Sequence, residues 1–341
     1  MLDKGLINLK EFSNCTSKIY KWYMRQSKIL TVITNPYNTS LIYLDLISKL
    51  LKENKRVLYI WGGTEVNKEI VEELNDNNIK FKYSYIDGYD GKEDLVFCNF
   101  KSINKIKGCY DLCIIDDIST FSIIGKEDLR EYIEYLYLCS KRLIIFSIEK
   151  IVTMGRSISI SDLTRNKPFV EPRIITTRVR LDEDMPYTLY DYLMWFKSNN
   201  RKVIIFVPSE EKINKVYKYY TEDLKIKDIK IIKFLKNDNL KKIEPIYRLK
   251  SKSVFVITNN IQSYVKDIND IDIVVLFSDD IFYSYKKIIY FCAEVGKNAR
   301  NSARIGEVLL VAKEISKDMD IAKEITRDYN KEIWEKGLLE Y

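Results

Sequence analysis

Short runs of β-branched and aliphatic residues alternate with amphipathic helical stretches along this chain, and that alternation leaves few architectures open. In the first half the runs are Ile29 to Ile33, Val57 to Trp61, Leu95 to Asn99, Leu112 to Ile115 and Leu143 to Phe146. They are apolar at successive positions rather than at alternate ones, so both faces of each strand are expected to be buried. That is the strand of a parallel sheet, which needs helical crossovers on both sides. Leu41, Leu44, Ile47, Leu50 and Leu51 recur at helical spacing, a second helix should follow Glu65, and a third should run from about Lys126 to Cys139. Between Ser157 and Pro186 the periodicity fades, and Pro168, Pro172 and Pro186 punctuate an extended connection suited to a linker. The pattern restarts with Val203 to Val207, Ile229 to Phe234, Val254 to Ile257, Ile273 to Phe277 and Val308 to Val311. A terminal helix carries Ile321, Ile325, Tyr329 and Ile333. The expectation is an α/β protein of two lobes, 1–165 and 166–341, each a mostly parallel sheet with helices on both faces.

Composition narrows the chemistry. At 341 residues, 46% apolar and 31% charged, the chain is long enough for two ordinary cores, and it has no apolar run of the roughly 18 residues a membrane span needs. Its first residues, MLDKGLINLKEF, carry early charge and no export signal, so the expected location is cytoplasmic, with any membrane association made through partners. There is no histidine, which excludes imidazole acid-base catalysis and histidine metal ligation. The six cysteines, at 15, 98, 109, 113, 139 and 292, form no CxxC pair. The net charge of +7 mildly favours a polyanionic partner.

One run carries a chemical signal. YDLCIIDDIS, Tyr110 to Ser119, reads as a buried strand ending in two adjacent carboxylates, Asp116 and Asp117, where a nucleotide-driven motor holds its magnesium. A phosphate-gripping loop should lie upstream, but no GxxxxGK[ST] occurs in the chain, and the segment in its place is NPYNTS, Asn35 to Ser40.

Several segments together resemble the ComFA family, helicase-like proteins of DNA uptake in superfamily two, related to DEAD-box and PriA-type motors. Lys167 to Arg173 (KPFVEPR) is similar to that family's inter-lobe segment, Val203 to Ser209 (VIIFVPS) to the opening strand of its second lobe, and Leu95 to Phe121 to the stretch around its DEAD-like box. The resemblance implies two RecA-like lobes. It places Asn38, Thr39 and Ser40 on the Gly-Lys-Thr positions, Asp116 on the metal-holding aspartate and Asp117 on the glutamate that orients water. Tyr290 to Lys297 (YFCAEVGK) falls on the arginine-finger motif, with Glu294 on the first arginine and Lys297 on the second. Ser147 to Glu149 stands for Ser-Ala-Thr, Thr258 to Val265 lacks the Glu-Arg-Gly of the fifth motif, and the family's zinc-binding cysteines are missing. Thr39 cannot supply the cation that grips phosphate, and Glu294 puts a negative charge where negative charge must be stabilised. No cofactor is therefore expected to be required; weak magnesium-dependent ATP binding through Ser40 and Asp116 is the most that could survive.

What such a chain could still bind is single-stranded DNA. Lys18, Lys21 and Arg25 interleave with Tyr20, Trp22 and Tyr23, a mixture suited to phosphates and stacked bases, although an ordinary amphipathic helix has the same pattern. Lys230 and Lys233 lie in a lysine-rich tract, 225–242, and Arg300 and Arg304 surround the altered finger motif. The reading is a degenerate ComFA-like protein that binds single-stranded DNA without hydrolysis. The alternatives are a scaffold pairing with an intact motor or a DNA-uptake partner, or a residually active translocase.

Overall fold

The computed structural model describes residues 8–25, 27–88, 90–161, 163, 168–226, 228–235, 238–239, 243, 252–260, 271–298 and 306–337. The chain divides into two compact units, Met1–Asn166 and Lys167–Tyr341.

The first unit opens with helix α1 (Leu9–Tyr23), whose amide at Glu11 is capped by the Asn8 side chain at 3.2 Å. Seven strands follow: β1 (Ile29–Ile33), β2 (Val57–Trp61), β3 (Tyr83–Tyr85), β4 (Leu95–Asn99), β5 (Leu112–Asp116), β6 (Leu143–Ser147) and β7 (Arg156–Ser159). Their order is β3-β4-β2-β5-β6-β1-β7, and every pairing is parallel. Helices α2 (Leu44–Lys52), α3 (Lys68–Asp76) and α4 (Lys126–Leu138) make the crossovers. Because side chains alternate across a strand, Leu58, Ile60, Cys113, Ile115, Leu143 and Ile145 share one face and meet Leu129, Ile133 and Leu136 of α4, while α2 packs against β2 on the other.

The second unit has β8 (Arg173–Thr176), β9 (Lys202–Phe206), β10 (Ile229–Phe234), β11 (Ser253–Thr258), β12 (Ile271–Leu276) and β13 (Val308–Ala312) in the order β10-β11-β9-β12-β13-β8, again all parallel. Helices α5 (Tyr187–Ser198) and α6 (Glu210–Lys218) cover one face through Leu189, Leu193, Phe196, Ile213 and Val216. Helices α7 (Tyr285–Asn298) and α8 (Lys317–Glu335) pack on each other, and α7 lies against β12 and β13. Each unit is thus a parallel sheet with helices on both faces.

The stretch expected to be a plain linker contains two strands. Arg156–Ser159 joins the outer edge of the first sheet beside β1, and Arg173–Thr176 the outer edge of the second beside β13. Both are four residues long and largely exposed, so neither has the buried apolar run that betrays a central strand.

Candidate nucleotide pocket and basic surfaces

In an open parallel sheet, ligands bind beyond the carboxyl ends of the strands, where neighbouring crossovers diverge. In the first sheet β6 lies between β1 and β5, so the segment after β1 (34–40), the pair Asp116–Asp117 and the segment after Ser147 come to one edge. The Tyr37 amide donates to the Ile118 carbonyl at 2.9 Å, which ties the first two segments directly. Tyr37 has a φ of 62°, a left-handed conformation that glycine adopts without strain and a side chain adopts with difficulty.

The inside of this loop is filled by its own side chains. Asn38 is buried; its Nδ2 donates to Thr34 Oγ1 (2.8 Å) and the Ser161 carbonyl (3.0 Å), and its Oδ1 accepts from the amides of Thr39 (2.9 Å) and Leu163 (3.2 Å). Thr39 is buried and caps Leu41. The amides of Tyr37, Thr39 and Leu41 are therefore engaged within the protein, and Pro36 contributes none.

Asp116 is fully buried, and four donors converge on it. Oδ1 accepts from the amides of Ile118 (3.0 Å) and Ser119 (2.9 Å), while Oδ2 accepts from the hydroxyls of Ser119 and Tyr59. The Tyr59 hydroxyl also neighbours Ser40. Burial raises the Asp116 carboxyl above the ordinary aspartate value, and these hydrogen bonds only partly oppose it. Burial, then the charge of Asp116, pushes the phenols of Tyr59 and Tyr43 well up, so both remain protonated donors. Asp117 is buried as well and accepts from Ser122 Oγ.

Several of the groups expected to meet magnesium and a nucleotide are thus engaged within the protein. Of the two expected metal ligands, Asp116 accepts from the Tyr59 hydroxyl and Ser40 adjoins it. Asn38, Thr39 and Ser40, expected at the phosphate positions, are all buried, and Asn38 and Thr39 are hydrogen-bonded within the protein. Among the described residues no group of three or more Cys, Asp or Glu side chains could hold a metal ion. Tyr59 escaped the sequence reading, although a signal existed: in β2 it is a polar-tipped residue in a buried strand, two positions before Trp61, whose register partner is Asp116.

Of the finger motif, Glu294 lies in α7, 7% exposed, and its Oε1 has no hydrogen-bond partner among the described residues. Only the backbone of Lys297 is described, in the same helix, while Arg300 and Arg304 lie outside the described residues, as does most of Thr258 to Val265.

The basic tracts fare unequally. Lys18, Lys21 and Arg25 are exposed on and just after α1. Trp22 is not: it is 2% exposed and its indole Nε1 donates to the Ile29 carbonyl at 3.2 Å, so it has no free face for a base. Its neighbour Tyr20 is 40% exposed and accepts from Lys49 Nζ at 2.6 Å. We expect Trp22→Phe to lower stability by about 1 kcal/mol through the lost hydrogen bond, with oligonucleotide affinity unchanged; urea unfolding and anisotropy titration on the same variant check both halves. On the edge strand β10, Lys230 is exposed, and Lys233 is half-buried with its Nζ 2.9 Å from Asn214 Oδ1.

No family model matches the sequence, and no curated protein does. A solved structure does resemble the fold: the crystal structure of the DUF1998 helicase MrfA bound to DNA, with a TM-score of 0.50 and 13% identity over 94% of this chain and 48% of that one. The chain thus spans about half the length of that protein. At such low identity the likeness shows the fold alone: two RecA-like α/β units.

Proposed function

We propose that the protein is a helicase-like nucleic-acid-binding protein that holds single-stranded DNA without turning over ATP. The observation that carries the loss of turnover is the filling of the nucleotide pocket by Asn38 and Tyr59. Replacement of the phosphate-gripping lysine position by Thr39 and of the finger position by Glu294 points the same way, each such cation being worth on the order of a thousandfold in rate. Binding to DNA is supported by the likeness to a helicase solved with DNA and by exposed cations on both units, Lys18, Lys21 and Arg25 on the first and Lys230 on the second. The resemblance to ComFA suggests a role beside the DNA-uptake machinery. Among the described residues no helix is long and apolar enough to cross a membrane.

Anisotropy titration with labelled single-stranded oligonucleotide at two salt concentrations, with and without ATP and magnesium, tests this reading. Expected are sequence-independent binding, indifference to nucleotide, and an affinity falling with salt by about 0.7 log units per log unit for each neutralised phosphate. A coupled assay should detect no DNA-stimulated phosphate release. Turnover abolished by Asp116→Asn would restore the translocase reading; absence of binding at low salt would remove the DNA reading.

A second reading, a protein-interaction scaffold, has one specific observation behind it. An open groove of about 790 Å³ in the second unit is lined by Glu171, Arg173, Glu307, Lys323, Arg327 and apolar neighbours. Arg173 pairs with Glu307 and Arg327 with Glu171, a mixed surface better suited to a polypeptide than to a phosphate backbone.

A further inference from the structure

In a parallel sheet all strands begin at one edge and all crossover helices end there. At that edge of the first unit, opposite the edge that carries Asp116, positive charge accumulates. Arg25 and Lys28 lie between α1 and β1, Lys49 and Lys52 end α2, Lys55 and Arg56 precede β2, and Lys141 and Arg142 precede β6. Acids stand among them too: Glu53 is held by Lys55 at 2.6 Å and Asp111 by Lys141 at 2.8 Å, while Asp94, just before β4, accepts from the Lys82 amide at 2.9 Å. Contacts across elements show that the cations form one surface. Arg142 Nη2 donates to the Arg25 carbonyl at 3.2 Å, and Lys55 Nζ reaches the Tyr23 hydroxyl at 3.4 Å.

Neutralising helix dipoles does not explain this accumulation. Helices α3 and α4 end at the same edge with no basic residue in their last turns. Four of the cations lie over aromatic rings instead: Lys28 Nζ is 3.8 Å from the Tyr137 ring centre and the Arg56 guanidinium 4.7 Å from that of Tyr110, and two further rings stand at the end of α1. Lys49 Nζ lies 4.5 Å from the Tyr20 ring centre and Lys55 Nζ 5.8 Å from that of Tyr23.

We propose that this edge of the first unit binds an unpaired nucleic-acid strand, with phosphates on Arg25, Lys28 and Lys52 and bases against Tyr20 and Tyr23. The inference rests on the DNA-binding reading above and locates it on the face of the sheet edge away from the filled nucleotide pocket. A strand is favoured over an anionic lipid surface because the rings of Tyr20 and Tyr23 stand among these cations, so that stacking and charge are offered on one surface.

The test uses the full chain and labelled oligothymidylate. The triple variant Arg25→Gln, Lys28→Gln, Lys52→Gln should bind at least about tenfold more weakly at low salt, with a salt slope shallower by about 2. The double variant Tyr20→Ala, Tyr23→Ala should lose about fivefold or more with its slope unchanged. If both variants bind as the wild type does while Lys230→Gln, Lys233→Gln abolishes binding, the strand lies elsewhere and this inference falls alone. If the wild type binds no oligonucleotide, the DNA-binding reading falls and takes the inference with it. If the triple variant loses only sedimentation with phosphatidylserine vesicles and keeps its oligonucleotide affinity, the surface belongs to a membrane and the inference is overturned.

Discussion

Replacing Arg201 with alanine should destabilise the second unit by about 3–5 kcal/mol. Arg201 and Asp272 are 4% and 0% exposed and bond twice, Nε to Oδ2 at 2.6 Å and Nη2 to Oδ1 at 2.8 Å. Asp272 also accepts from the Glu307 amide at 2.8 Å. Arg201 precedes β9, Asp272 lies in β12 and Glu307 precedes β13, so one carboxylate gathers the starts of three neighbouring strands. Alanine at 201 would leave that carboxylate buried with a single donor. Burial already raises the Asp272 carboxyl, with Arg201 opposing it. Without the guanidinium the native state would hold its proton to still higher pH, so the loss should be larger at neutral pH than in mild acid. Urea unfolding at two pH values measures this. A loss below about 1 kcal/mol would show the pair to be dispensable. The double change Arg201→Met, Asp272→Leu, which removes both charges, should recover much of the loss.

Asp116→Ala should cost on the order of 3 kcal/mol, because it strands four donors in a sealed part of the first unit. Asp116→Asn should be far milder. Its Oδ1 can keep both amide bonds while its Nδ2 donates to the hydroxyls of Tyr59 and Ser119, which rotate to accept. The sign of the pH dependence separates the asparagine variant from the wild type. The folded Asp116 carboxyl titrates above the unfolded one. Between those two values the native state holds a proton that the unfolded chain has released, so this group's contribution falls as pH rises through the window and is constant above it. Asparagine has no such window, and its stability relative to wild type should improve from acid to neutral pH. Thermal unfolding of both proteins across that range decides the matter; a wild-type advantage that grows with pH would mean that the carboxylate is the preferred form.

The central strands could be read before the fold was known because they are buried on both faces and therefore apolar at nearly every position, as in VLYIW of β2 and VLLVA of β13. Edge strands could not. The exposed Arg156–Ser159 and Arg173–Thr176 bury too little to leave a pattern, and their pairing depends on partners far along the chain. At the candidate site the legible part was the set of residue types that the ComFA resemblance lines up: asparagine and threonine at its glycine and lysine positions, glutamate at its first arginine position.

Trp22 shows the limit of such reading. Basic residues beside an aromatic suggest stacking, but on a helix the position of each residue around the axis sets its exposure, and Trp22 shares the inward face with Cys15 and Ile19. The sequence alone determined that parallel sheets would form and that no GxxxxGK[ST] loop follows the first strand, since both follow from which residue types stand in which local pattern. Only the tertiary structure decided what those positions bond to instead. Tyr59 and Asp116 are 57 residues apart and Asn38 and Ser161 are 123 apart, and they meet only because strand order sets β2 beside β5 and β1 beside β7. Hydrogen bonds between such distant residues arise from packing, which local sequence patterns do not encode.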